Sequence, residues 1–279
     1  MRVLRAGLIG DHISQTRLPA ALEIMCKASG MTLDFELIDT ADHPDFDFAN
    51  TVDALRPKGW SGVTVTHPFK TDAAGYAGSA MSAELRKLGA SNTLIFDGEF
   101  KAVNTDYTGF LSAWKTHMGD LSPGIVAMAG AGGVARAIGP ALAELGASQI
   151  RIWDMSEPRA QDLADLIGAP AHVVAVDQAQ TAIADADGLV NATPLGMTYH
   201  PGTAFSAKLI GPQNWAFDAV YTPTDTEFLM DCSRAGLATL TGFDLFRHMV
   251  IDSFQAYTGI TVNRDIIMPK LAALRPPLG

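Results

Sequence analysis

The stretch IVAMAGAGGVARAIGPALAELG (125–146) sets five apolar residues, the length of a buried strand, directly before a glycine-rich turn and a helical pattern. Within it, Gly130, Gly132 and Ala135 make G-x-G-x-x-A, with Gly133 and Val134 completing the turn. A tight turn is needed at Gly130 and close backbone approach to a pyrophosphate at Gly132, while Gly133 adds room. The helix that follows points its positive N-terminal end at the phosphates. Such a turn can also merely join a strand to a helix. An acid in the right place favours a dinucleotide: Asp154 lies 24 residues after Gly130, just past the apolar run QIRIW (149–153). A carboxylate there accepts hydrogen bonds from both ribose hydroxyls and repels a 2′-phosphate, which predicts NAD rather than NADP. NADP stays open because Arg159 could meet a 2′-phosphate; Ser156 and Pro158 fit the cap and first turn of the next helix.

Outward from this turn, IVAMA (125–129), QIRIW, HVVAV (172–176), DGLVNAT (187–193), WAFDAV (215–220) and ATLT (238–241) read as six strands with helical patterns between most of them. That predicts a doubly wound parallel sheet. Upstream, VLRAGLI (3–9), TLDFELI (32–38) and GVTVT (62–66) alternate with helical segments near 18–29 and 47–57, one βαβαβ half. SNTLIF (91–96) and EFKAV (99–103) flank Asp97-Gly98 as a hairpin. FLSAWKTHM (110–118) reads as helix, and the polar GDLSPG (119–124) as the best junction candidate. Residues 245–257 are amphipathic and helical, and PKLAALRPPLG (269–279) carries prolines expected to end any helix. The fold class is α/β, and the resemblance to a known family carried by the motifs below implies its arrangement: a substrate-binding domain over 1–108, a Rossmann-type domain over 109–243 with a cleft between them, and a helical segment, 244–279, returning to the first domain.

The 279 residues suit two cores, and 30 acids against 20 bases give a net charge of −10 without a long basic run, so nucleic acid is an unsuitable partner. Cys26 and Cys232 are too few for a disulfide framework or a CxxC zinc site, which suits a reducing compartment. MRVLRAGLIGDHIS has too short an apolar run for a signal peptide, and no membrane-spanning stretch is present. A cytoplasmic enzyme without membrane partner, and a homodimer as the assembly, are expected.

In GVTVTHPFK (62–70), Pro68 ends the strand, so Lys70 is delivered at its carboxyl end, where α/β proteins bind ligands. Asn104, Thr105 and Asp106 sit at the end of another strand near the domain junction. A solvated helix-start lysine is the plain alternative. A lysine and an aspartate converging beside a nicotinamide would form a proton-transfer pair.

These motifs, with TVTHPFK (64–70), GASNTL (89–94), NTD (104–106), GAGGVARA (130–137), NATPLGM (191–197) and DAVYTPTDTEFL (218–229), make the chain resemble the shikimate/quinate dehydrogenase family over nearly its whole length. The resemblance implies reversible oxidation of a ring hydroxyl of a small cyclic hydroxy-acid, with Lys70 and Asp106 as the catalytic pair. Thr66 and Asn92 would hold ring hydroxyls and Tyr221 would lie near the carboxylate. Asn191, Thr193, Pro194, Leu195, Gly196 and Met197 would line the dinucleotide cleft, with Val220 and Gly242 beside it.

Three positions depart from the family. Its first loop usually carries two serine hydroxyls for the carboxylate; here SQTRLP (14–19) puts Thr16 in the first position and Leu18 in the second, with Ser14 or Arg17 as candidate substitutes. Met249 takes the slot of a substrate-binding glutamine, and Gln255, six residues on, cannot replace it without a register change. Tyr107 replaces a common glycine. Shikimate, quinate and aminoshikimate all stay open as substrates, as do a neutral cyclic polyol and a dinucleotide-binding sensor without turnover. His67 and His248 read as structural. No HxH or HExxH spacing supports a metal among His12, His43, His117, His172 and His200, and His12 lies nearest the substrate loop.

Overall fold

The computed structural model describes residues 2–276. The described chain forms two compact units, one running to Thr105 and taking up Met249–Arg275, the other covering Asp106–His248. The chain leaves the first unit three residues before position 108, and it returns at Met249 rather than at 244.

The first unit holds β1 (Val3–Gly10), α1 (Leu18–Ala28), β2 (Thr32–Asp39), α2 (Phe48–Leu55), β3 (Gly62–Val65), α3 (Lys70–Ala77), α4 (Ala83–Lys87), β4 (Thr93–Ile95) and β5 (Lys101–Val103). Its sheet order is β2-β1-β3-β4-β5, with β1 parallel to β2 and β3, and with β3–β4 and β4–β5 antiparallel. The hairpin across Asp97-Gly98 is present, with Gly98 at φ 75° as a tight turn demands. The core beneath this sheet gathers Ile9, Phe48, Val52, Trp60, Val63, Val65 and Leu94.

The second unit continues with α5 (Thr105–His117), β6 (Ile125–Ala129), α6 (Ala135–Glu144), β7 (Gln149–Trp153), α7 (Glu157–Ile167), β8 (Ala171–Val173), α8 (Ala179–Ala184), β9 (Gly188–Asn191), β10 (Trp215–Asp218), α9 (Glu227–Arg234) and β11 (Ala238–Thr241). Helix α10 (Gly242–Thr258) starts in this unit and ends in the first, where α11 (Arg264–Ala272) follows. All pairings among the six strands are parallel, in the order β11-β10-β9-β6-β7-β8. The chain therefore winds outward from β6 in both directions, and the crevice between β6 and β9 is the switch point where doubly wound sheets bind ligands.

Three local expectations need correction. GDLSPG is no junction: Trp114 Nε1 donates to Leu121 O (3.2 Å) and Trp215 Nε1 to Pro123 O (3.1 Å), so buried indoles fix it inside the second unit. The HVVAV strand stops at Val173, because β8 is a half-exposed edge strand whose chain turns at 176–178. Pro269 lies inside α11 instead of ending it. The last three residues of PKLAALRPPLG lie outside the described residues.

Close packing between β9 and β10 sets a sharp test. A Cβ added at Gly188 would fall 2.0 Å from Trp215 Cε2, deep in the core. Gly188→Ala should lower stability by about 1–3 kcal/mol through overpacking. A fall in the urea midpoint at unchanged slope checks this, and an unchanged midpoint refutes it.

Candidate active site

In the first unit the site is built at the carboxyl end of β3. The ladder runs on past the strand, with Thr66 N–H donating to Ile9 O (2.9 Å) and Val65 N–H to Asn92 O (2.8 Å). Phe69 N–H then closes a turn on Thr66 O (3.0 Å), and α3 opens with Lys70, without a side-chain cap. Thr66 and Lys70 are half-buried at this edge, and His67 is exposed. The Lys70 carbonyl accepts from Ser91 N–H (2.8 Å), which fixes the start of α3 against the segment before β4.

Asn92, 2% exposed, is the hub of a buried polar lattice. Its Oδ1 accepts from Thr105 N–H (2.8 Å), Thr105 Oγ1 (3.1 Å) and Thr93 Oγ1 (3.0 Å). Because a backbone N–H can only donate, the amide orientation is fixed, and Nδ2, without a protein acceptor among the described residues, is left for a ligand oxygen. Ser253 of α10 joins the lattice at Thr105 Oγ1 (2.9 Å) and lies 3.5 Å from Met249 Sδ, one turn earlier. Met249 thus shares a helix face with the lattice, whereas Gln255 is exposed and does not take its place. Tyr257 on the same helix bonds Thr64 (2.7 Å), and its hydroxyl pKa is raised by burial. Thr16 Oγ1 accepts from Leu18 N–H (3.2 Å). Leu18 itself, 2% exposed, is core and presents nothing to a ligand, which corrects its assignment as a substrate contact.

In the second unit, the expected dinucleotide residues lie at or just past the carboxyl ends of β6, β7, β9, β10 and β11. Gly130 has φ 95°, and a Cβ there would meet Ala192 backbone atoms at 2.8 Å, so only glycine fits. Space is open around Gly132. No described hydrogen bond uses the N–H of Gly132, Gly133 or Val134, which leaves three amides at the head of α6, beginning at Ala135, for phosphate oxygens. Asp154 Oδ2 accepts from Ala131 N–H (2.8 Å) and Oδ1 from Ser156 N–H (2.9 Å), so the acid is tied to the glycine turn with lone pairs to spare. Ser156 is the N-cap of α7, yet its side chain makes no capping bond, and Arg159 is exposed.

The loop after β9 departs from expectation at its first residue. Asn191 is fully buried and does not line a cleft. Its Nδ2 donates to Leu195 O and Asp218 Oδ1 (both 2.9 Å), and its Oδ1 accepts from Thr193 Oγ1 (2.7 Å) and N–H (3.1 Å). It is the post behind the loop. Thr193 Oγ1 in turn accepts from Leu195 N–H (3.1 Å), and Pro194 O from Met197 N–H (3.0 Å). With Gly196 at φ 105°, the apolar Leu195 and Met197 remain over one-third exposed. Val220 is buried and donates its N–H to Asp218 Oδ1 (2.9 Å). At Gly242 a Cβ would meet Ala219 O at 2.5 Å, so α10 can start there only with glycine.

Asp106 is buried in the first turn of α5, where the helix N-terminus favours a carboxylate. Tyr107 donates to Glu144 Oε2; burial and that carboxylate push its pKa up to about 12. Tyr221 stacks on Phe246 with ring centroids 5.3 Å apart. The first unit therefore holds Thr16, Thr66, Lys70, Asn92 and Met249; the second holds Asp106, Tyr221 and the dinucleotide residues. Sequence reasoning gave no role to Thr105, Asp218 and Thr226, which lie in the quoted motifs, and passed over Ser253. The one available signal was the polar Ser253 on an otherwise apolar face of α10. Among the described residues no three His, Cys, Asp or Glu side chains converge on a point that could hold a metal, and no helix is long and apolar enough to cross a membrane.

Asp218 gives a pH test. Burial raises its pKa from 3.8 to about 6, against the lowering by Thr226, Val220 and Asn191, which all donate to it. A raised carboxyl pKa means stability that is complete below pH about 4 and is lost as pH rises through about 6. Asp218→Asn keeps an acceptor for Asn191 and Val220 and turns Nδ2 towards Thr226. Its stability relative to wild type should therefore rise between pH 4 and 7 by on the order of 2–3 kcal/mol. Urea midpoints across that range check this; a constant difference contradicts it.

Known proteins resemble this chain in sequence and in fold. The family model for the shikimate dehydrogenase substrate binding domain matches residues 8–94. The quinate/shikimate dehydrogenase (NAD(+)) of Corynebacterium efficiens is 36% identical over 91% of this chain and 92% of its own length. The shikimate dehydrogenase (NADP(+)) of Streptomyces avermitilis is 33% identical over 91% and 89%. Among solved structures, quinate dehydrogenase from Corynebacterium glutamicum in complex with NAD superposes with a TM-score of 0.86 at 31% identity, covering 98% of this chain and 100% of that one. The chain belongs to the quinate/shikimate dehydrogenase family of nicotinamide-dependent oxidoreductases.

Proposed function

We propose that the protein reversibly oxidises a ring hydroxyl of a shikimate- or quinate-like cyclic hydroxy-acid to the 3-keto compound, with NAD as cofactor and Lys70 and Asp106 as the proton-transfer pair. The observation that supports this reading is the anchoring of two helix starts, at Lys70 and at Thr105, on the segment Ser91-Asn92 of the first unit. The Lys70 carbonyl holds Ser91 N–H, the next residue is Asn92, and Asn92 Oδ1 holds the N–H of Thr105, the residue before Asp106. Each link is 2.8 Å, so the starts of α3 and α5 are fastened to one hub.

Bound NAD supplies a nicotinamide ring that accepts hydride from the carbinol carbon. The chain's task is to manage the proton. Lys70 Nζ, as the neutral amine, takes the hydroxyl proton while the carbon–hydrogen bond pair departs as hydride, and as the ammonium it returns that proton in the reverse direction. The Asp106 carboxylate accepts a hydrogen bond from the reacting hydroxyl or from the ammonium and offsets its charge. Asn92 Nδ2 and Thr66 Oγ1 hold neighbouring ring hydroxyls. The open amides of Gly132, Gly133 and Val134 suit a pyrophosphate, and Asp154 suits a ribose with two free hydroxyls, which favours NAD over NADP. The NAD(+) name of the C. efficiens relative supports the same choice. The reading extends to a cytoplasmic enzyme working as a homodimer.

Lys70→Met should cut turnover of shikimate or quinate by about 10²-fold or more, the usual contribution of a positioned acid–base group, while NAD affinity stays within about twofold. Stopped-flow absorbance of the reduced cofactor and fluorescence titration of NAD check the two halves. Equal loss of both would make Lys70 structural. NAD binding without turnover of shikimate, quinate, aminoshikimate or a carboxylate-free cyclitol would leave a sensor.

A further inference from the structure

We propose that Arg17 is the carboxylate anchor of the substrate site, a specificity-determining contact that stands in for the donor lost at Leu18; this rests on the cyclic hydroxy-acid reading above. The loop carrying it is pinned along its length. His12 and Ile13 donate their N–H groups to the Asp39 carboxylate (3.0 and 3.1 Å), Asp11 N–H donates to His67 O (2.9 Å), and Thr16 N–H closes back on Ile13 O (3.1 Å). Its foot is packed on the substrate edge of the sheet, because a Cβ at Gly10 would fall 2.3 Å from Thr66 Cγ2 and 2.8 Å from His67 O. Arg17 therefore stands as the N-cap residue of α1, in a rigid loop rising beside the strand end that delivers Lys70.

The side chain is a cation without a counter-charge. Arg17 is half-buried, and its Nε is closed off from water with no hydrogen-bond partner. Arg234, Arg247 and Arg264 each hold an aspartate, but no carboxylate of the described residues lies within ion-pair distance of Arg17. Leaving a buried donor unmade costs stability, and a guanidinium is retained at such a position when an anion completes it. The carboxylate of the substrate is that anion: Nη1 and Nη2 present a planar fork that matches its two oxygens. Leu18, whose side chain is core, supplies none of this, and Thr16 Oγ1, which accepts from Leu18 N–H, has one neutral hydroxyl donor where the guanidinium has a charged fork.

The test is calorimetric binding of shikimate and of quinate to the full chain, which does not depend on turnover, beside binding of a cyclitol carrying hydroxymethyl in place of the carboxylate. Arg17→Gln should weaken binding of the acids about 10- to 100-fold, the range of a charge-assisted hydrogen-bonded pair. Arg17→Lys should recover part of that, and affinity for the hydroxymethyl analogue and for NAD should stay within twofold of wild type. Acid binding unchanged in Arg17→Gln, an equal loss for the hydroxymethyl analogue, a loss confined to NAD, or a wild type that binds neither acid overturns the assignment. Failure of Lys70→Met to slow turnover, by contrast, overturns the proton-transfer reading and leaves Arg17 standing.

Discussion

One side-chain oxygen, Asn92 Oδ1, organises the substrate unit. It is buried, it accepts three hydrogen bonds, and one of them comes from the backbone that leads directly into α5. An acceptor so used in a low-dielectric interior is costly to disturb, because each donor left behind would be unsatisfied. The strand register of β3 and β4 places Asn92 there, and the same register puts Ser91 under the Lys70 carbonyl. Two helix starts far apart along the chain, at Lys70 and at Thr105, are thus tied to one short segment, Ser91-Asn92.

The dinucleotide unit follows the same logic with a different hub. Asp218, at the end of β10, collects Asn191, Val220 and Thr226, and Asn191 then supports the loop through Thr193 and Leu195. The exposed apolar residues of that loop are held from behind by a buried polar post. Gly130 and Gly242 act at the level of backbone, where any side chain would collide with the neighbouring loop.

Much of this was legible in the chain before any coordinates. The β6 turn, Asp154 and the six-strand alternation are local patterns, and local steric and hydrophobic rules suffice for them. The misread parts depend on distant partners. GDLSPG looks like a linker until two indoles from Trp114 and Trp215 claim its carbonyls. The family resemblance makes Asn191 a lining residue, yet its partner is an aspartate 27 positions away. Ser253 and Thr105 meet across 148 positions, a pairing that no period or motif announces. Leu18 kept the loop position of a hydroxyl and lost its direction, since an apolar side chain at the start of α1 turns into the core.

The central claim is that Lys70 and Asp106 act as one unit, and a double-mutant cycle on kcat/KM tests it most directly. If they share the proton, Lys70→Met with Asp106→Asn should lose no more than the worse single variant, within about threefold. Losses that multiply would show two independent residues and contradict the account.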